Sequence, residues 1–78
     1  MQMEDIREVD SFTIGGTNAG PSMPGPRLQK IIGQRILVNM EAHMLHVPTK
    51  HGWEIAQAGD RIILYSDDSL EVQHGPSA

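Results

Sequence analysis

The chain has 78 residues, 10 of them acidic and 6 basic, with a formal net charge of −4 and no cysteine. A chain this short holds one domain and buries only ~60% of its unfolded surface, so assembly into a homo-oligomer is the expected way to enlarge its core. The acid excess and the single Trp, Tyr and Phe exclude a general nucleic-acid binder, which needs clustered cations and stacking rings. The missing thiols exclude disulfides, thiolate metal sites and Cys nucleophiles, and fit a reducing cytoplasm. No apolar run approaches the ~20 residues of a membrane span, and the opening "MQMEDIREVD" is acidic where a signal peptide would be basic.

Residues 1–14 form an acidic segment that ends β-prone, with Phe12 and Ile14 alternating onto one face. Residues 15–26, "GGTNAGPSMPGP", carry four Gly and three Pro and predict a connection without regular structure. Pro26 suits the first position of a helix, because its missing N–H has no partner there. "PRLQKIIGQ" then spaces Leu28, Ile31 and Ile32 for a short helix, and Gly33 stops it.

"RILVNM" reads as a buried strand. "HMLHVP" follows as another, with His43, Leu45 and Val47 on one face and Met44 and His46 on the other. "TKHG" is a turn, and "WEIA" is a strand with Trp53 and Ile55 on the core side and Glu54 outward. "QAGD" turns again before the strand "RIILY"; "SDDS" turns once more before "LEV". Residues 27–73 therefore predict a β-rich core with a short helix at its start, and 74–78 a frayed tail. The fold class is mainly β, a small antiparallel meander or barrel-like sheet of about four to six short strands, with α+β as the alternative. The expected core is Ile36, Val38, Leu45, Val47, Ile55, Ile62 and Leu64. A sheet of this size leaves edges to be covered, charged or paired.

The order of turns and strands over residues 46–72, "HVPTKHGWEIAQAGDRIILYSDDSLEV", resembles a small domain of bacteriophage and prophage genomes known by a Pro-Gly-Asp-Tyr-Ile/Leu signature. Thr49 and Gly52 match its first turn, Gly59 and Asp60 its second, and Ile62 to Leu64 the apolar strand after it. Ala58 stands where the family has Pro, Arg61 where it has an aromatic, and "SDDSLEVQHG" where it has a Cys-containing segment. The resemblance implies a phage setting and a β fold.

Gly52, Gly59 and Asp60 read as turn-makers: glycine supplies positive φ, and an Asp side chain accepts from turn amides. The histidines His43, His46, His51 and His74 lack metal-ligand spacing, since two of them point to opposite faces of one strand, so no metal or other cofactor is expected. Asp67 and Asp68 sit in a turn, and no serine lies in a nucleophile context, so no enzyme is expected.

Two binding patterns remain. Thr17, Asn18, Ser22, Arg27 and Lys30 place loop amides, hydroxyls and cations at a helix start, a pattern suited to a small anionic ligand such as a nucleotide. Glu4, Asp5, Glu8 and Asp10 form an acidic stretch suited to a protein partner. The expected function is that of a non-catalytic phage accessory protein, located in the host cytoplasm, that binds and inhibits a host defence or regulatory protein. The alternatives are an oligomeric sponge for an anionic ligand and a structural part of the virion.

Overall fold

The computed structural model describes residues 5–15 and 23–75. Its elements run in the order β1 (Glu8–Thr13), α1 (Pro26–Ile31), β2 (Leu37–Asn39), β3 (Met44–Thr49), β4 (Gly52–Ala56), β5 (Arg61–Tyr65) and β6 (Leu70–Gln73). The six strands form two three-stranded antiparallel sheets, ordered β1-β5-β6 and β2-β3-β4. The chain is mainly β with one short helix. The meander read from the sequence is divided, because β4 and β5 do not pair and the turn between them carries the chain from one sheet to the other. Edge strand β1 completes the first sheet against β5, so residues 8–13 belong to the core unit.

The core lies between the sheets. Phe12, Ile62 and Val72 stand in register across the first sheet, as do Leu64 and Leu70. All five are buried and pack in one cluster with Val47 and Ala56 of the second sheet, with Leu28 of the helix, and with Ile36. Period-two alternation explains β6, where Leu70 and Val72 are buried and Glu71 and Gln73 exposed. Strand β5 is buried at Ile62, Ile63 and Leu64 because it is central in its sheet. Ile63 lies on the face away from the core, bracketed in register by polar neighbours that are described below.

Helix α1 starts at Pro26 as its sequence predicts, ends at Ile31, and buries Leu28 completely. Six residues make too short a helix to stand alone, so it depends on packing and on its cap. That cap comes from β1. The Asp10 carboxylate accepts from the Gly25 amide at 3.1 Å and from the Leu28 amide at 2.9 Å. An added Cβ at Gly25 would lie 2.5 Å from Asp10 Oδ1, so this close approach requires glycine. A bulge sets Asp10 in place: Glu8 faces Tyr65 and Asp10 faces Leu64, which leaves Val9 as the extra residue.

Three expectations are corrected. "RILVNM" yields a strand of three residues, β2, whose side chains are all exposed, because it is an edge strand and only the preceding Ile36 reaches the core. Val38 is accordingly 44% exposed. Ile55 is 46% exposed on the face turned away from the core, while Glu54 points inward, since Glu54 is the residue paired with Val47. His43 precedes its strand at φ 54, in a turn. The Gly75 amide donates to Asp60 at 2.9 Å, and residues 76–78 of the expected tail lie outside the described residues.

Truncating Ile62 or Leu64 to Ala should lower the unfolding free energy by about 2–5 kcal/mol in urea denaturation, because each leaves a cavity between the sheets. Ile55→Ala, on the exposed face, should cost less than about 1 kcal/mol. Equal losses at Ile55 and Ile62 would show that both sheets bury both faces.

Candidate functional site

The residues expected to bind an anion do not converge into a site among the described residues. Thr17, Asn18 and Ser22 lie outside the described residues. Arg27 and Lys30 are exposed on α1. The helix amide that would receive the anion, that of Leu28, donates to Asp10 instead. A carboxylate of the chain thus occupies the place a phosphate would take at a helix start.

The expected acidic surface is dispersed in the same way. Glu4 is outside the described residues, and Asp5 lies 3.7 Å from Arg7 in an exposed pair. Glu8 pairs with Arg61 at 2.8 Å and accepts from the Ser11 hydroxyl at 3.0 Å. Asp10, the cap of α1, is half-buried. Two of the four acidic groups are therefore tied into the fold.

Gly52, Gly59 and Asp60 lie at the two turns that flank β4. Gly52, at φ +110, closes the two-residue turn between β3 and β4, where the Thr49 hydroxyl donates to the Gly52 carbonyl at 2.7 Å. Gly59, at φ +94, lets the chain pass from one sheet to the other and donates to the Ile14 carbonyl at 2.8 Å. Asp60 does more than shape its turn. Its carboxylate accepts from the Gln57 amide at 2.9 Å and the Gly75 amide at 2.9 Å, and His74 Nδ1 lies 3.2 Å away. Burial alone would raise the Asp60 carboxyl. The two amide bonds and His74 outweigh it and hold the group below its ordinary value.

A cavity of about 480 Å³ opens between the β3–β4 turn and the β5–β6 hairpin, lined in part by Glu54, Glu71, Tyr65 and Leu70. The Tyr65 hydroxyl donates to Glu71, and this bond, helped by burial, pushes the phenol above its ordinary value. Lys50, also in the lining, stands 3.4 Å from Asp67 and links the two turns. The lining thus carries both signs, the Glu54 and Glu71 carboxylates and the Lys50 ammonium. A second, smaller cavity of about 240 Å³ is apolar, walled by Phe12, Ile14, Val38, Met44 and Leu45. Among the described residues no three His, Asp or Glu side chains gather as a metal would require, and no helix is long and apolar enough to cross a membrane.

The two sheets differ in their outer faces. On the first, Arg61 bonds Glu8 and Ser11, and Tyr65 bonds Glu71. These polar groups bracket Ile63, which is 2% exposed. On the second, Leu37, His46 and Ile55 stand in one row across β2, β3 and β4. Pro48 and Trp53 pair on one side of that row, and Asn39 and Met44 on the other. None of these seven side chains is Asp, Glu, Lys or Arg. Leu37 is 48%, Ile55 46% and Trp53 62% exposed. An uncharged, apolar, open sheet face on a small acidic protein is the strongest candidate contact surface of the molecule.

The sequence reading paired Trp53 with Ile55 correctly and then turned the pair inward. The signal that corrects it lies in the turn: closing Thr49 on Gly52 sets Glu54 opposite Val47 and so sends Trp53 and Ile55 out. No family model, curated protein or solved structure matches the chain.

Replacing Asp10 with Ala should cost about 1–2 kcal/mol, as expected for a lost cap, in chemical denaturation. For Asp60 the direction follows from linkage. A carboxyl held below its ordinary value of 3.8 stabilises the fold fully above that value, and the stabilisation is lost as pH falls through the folded-state pKa. Between pH 6 and pH 2.5 the parent should lose more unfolding free energy than Asp60→Asn. Parallel losses would remove Asp60 as a source of the acid sensitivity.

Proposed function

We propose that this chain is a small, non-catalytic binding protein that acts through protein contact at the outer face of β2–β3–β4. The observation that carries this reading is the exposure of Trp53, Ile55 and Leu37 together on a face without a formal charge. Trp anchors ringed by apolar groups are what protein interfaces use as energetic centres. The setting we propose is the one the turn motif suggests: a phage or prophage accessory protein that binds a host defence or regulatory component in the host cytoplasm. Sequestration of an anionic ligand at α1 is the weaker reading, because Asp10 already holds the Leu28 amide. The notion of an acidic docking surface is weakened likewise, because Glu8 and Asp10 are bonded within the fold.

The reading is tested by expressing the chain in bacterial strains that carry different defence systems and measuring the plating of phages those systems restrict. Restored plating is expected in at least one strain, and Ile55→Glu should abolish it while leaving the protein folded by circular dichroism. Gln73→Glu, on the outer face of the other sheet, should keep the effect. Restored plating that survives Ile55→Glu would move the contact surface elsewhere, and no restored plating in any strain would count against the host-defence setting.

A further inference from the structure

We propose that the cleft between the β3–β4 turn and the β5–β6 hairpin binds a small aliphatic amine in its protonated form, with Glu54 and Glu71 holding the ammonium group. The site is separate from the outer face of β2–β3–β4 and does not depend on that face being a contact surface.

Glu54 carries the inference. It stands on β4 opposite Val47, so its side chain turns to the inner side of the sheet, where it is half-buried in the wall of the cleft. Among the described residues the half-buried acids are Asp10, Glu54 and Asp60. Asp10 caps α1, and Asp60 accepts from two amides at the crossing between the sheets. Glu54 has no such task. The ion pairs among the described residues are Arg7–Asp5, Lys50–Asp67, Arg61–Glu8 and His74–Asp60, and Glu54 is in none of them. A carboxylate turned inward loses hydration, and the fold gives it nothing in return. A cation in the cleft would.

The lining selects the charge of the ligand. Glu71 brings a second carboxylate from edge strand β6, with the Tyr65 hydroxyl donating to it. Lys50, the ammonium of the lining, stands 3.4 Å from Asp67 and is engaged there. The carboxylates of the cleft therefore lack a counter-charge of their own, and the net charge of −4 concentrates cations around the molecule. An ammonium group has three N–H donors and can serve two carboxylates at once. A metal ion fits less well, because among the described residues no three His, Asp or Glu side chains gather.

Size and apolar lining select the body of the ligand. The volume of about 480 Å³ is that of a pocket for a small molecule and far exceeds a bare ammonium ion. Ile6, Leu70 and Val72 line it beside the acids, so an alkyl stem has apolar wall to lie against.

Titration calorimetry of the full chain with diaminobutane at low ionic strength tests the site. The amine should bind, and butanediol, of equal length and without charge, should not. Glu54→Gln should weaken binding about 10-fold or more, as the loss of a charge-assisted hydrogen bond does, and Glu71→Gln should weaken it as well. Glu41→Gln removes the same charge from the exposed turn between β2 and β3, and should leave the affinity within about 2-fold of the parent. Lys50→Gln should bind at least as tightly as the parent. Without amine, Glu54→Gln should melt at the parent's temperature or above it.

No binding of diaminobutane by the parent would overturn the inference. Equal weakening by Glu54→Gln and Glu41→Gln would do the same, since it would reduce the effect to the charge of the whole molecule. Butanediol binding as tightly as the amine, or loss of binding in Lys50→Gln, would also overturn it. A lower melting temperature for Glu54→Gln would make Glu54 part of the fold's own bonding and remove the observation that points to a ligand. Binding of a blocked lysine peptide where the free amine does not bind would make the occupant a protein side chain, and the small amine would fall.

Discussion

The register of one hairpin governs what this molecule shows to solvent. The turn that closes Thr49 on Gly52 admits two residues, and antiparallel pairing then leaves no freedom: Val47 faces Glu54, and Leu45 faces Ala56. Val47 is buried between the sheets, so Glu54 and Ala56 share its side of the sheet. Trp53 and Ile55, the bulkiest apolar residues of the hairpin's second strand, are carried outward by the same constraint. A shift of one residue would bury them and expose Ala56. The open apolar face exists because the turn length and the inward placement of Val47 together fix every side chain after them.

Two carboxylates hold the rest together by reaching across sequence. Asp10, on an edge strand, accepts from the amides at the start of a six-residue helix that could not hold its first turn unaided. Asp60, at the crossing between sheets, accepts from its own turn and from the residue after the last strand. Backbone bonds between Ile14 and the Gly59–Asp60 pair draw the end of β1 to the same point. In a chain without cysteine, these bonds do the stitching that small domains commonly assign to disulfides. The acidic excess is thus partly structural. Charge that looks available to a partner in the sequence is, at Glu8, Asp10 and Asp60, engaged inside the fold.

The functional reading comes from the contrast between the two outer faces. On the β1-β5-β6 sheet, Arg61, Glu8 and Ser11 at one end and Tyr65 with Glu71 at the other satisfy one another around a buried Ile63. Most polar groups of that surface bond one another, while the buried Thr13 hydroxyl and Arg61 Nε have no partner among the described residues. The outer face of the β2-β3-β4 sheet has the opposite character, with exposed apolar side chains and no Asp, Glu, Lys or Arg. Two sheets of three strands, joined by one core, give the molecule a polar side and an apolar one.

The sequence by itself determined the element types. Alternation, the placement of Gly and Pro, and the spacing of Leu28 from Pro26 were enough for a mainly β chain with one short helix, for turns at Gly52 and Gly59, and for burial of Ile36, Val47, Ile62 and Leu64. These signals are local, because each is a property of a residue and its near neighbours along the chain. It did not determine which strands share a sheet, which face of β4 is buried, or what Asp10 does. Strand β4 carries alternating apolar residues on either assignment of its faces, and only pairing with Val47 chooses between them. Asp10 resembles any exposed acid until the helix start, 15 residues on at Gly25, is folded against it. Those outcomes depend on contacts between distant segments, and the candidate surface is one of them: side chains from three strands become one face only when the sheet has formed.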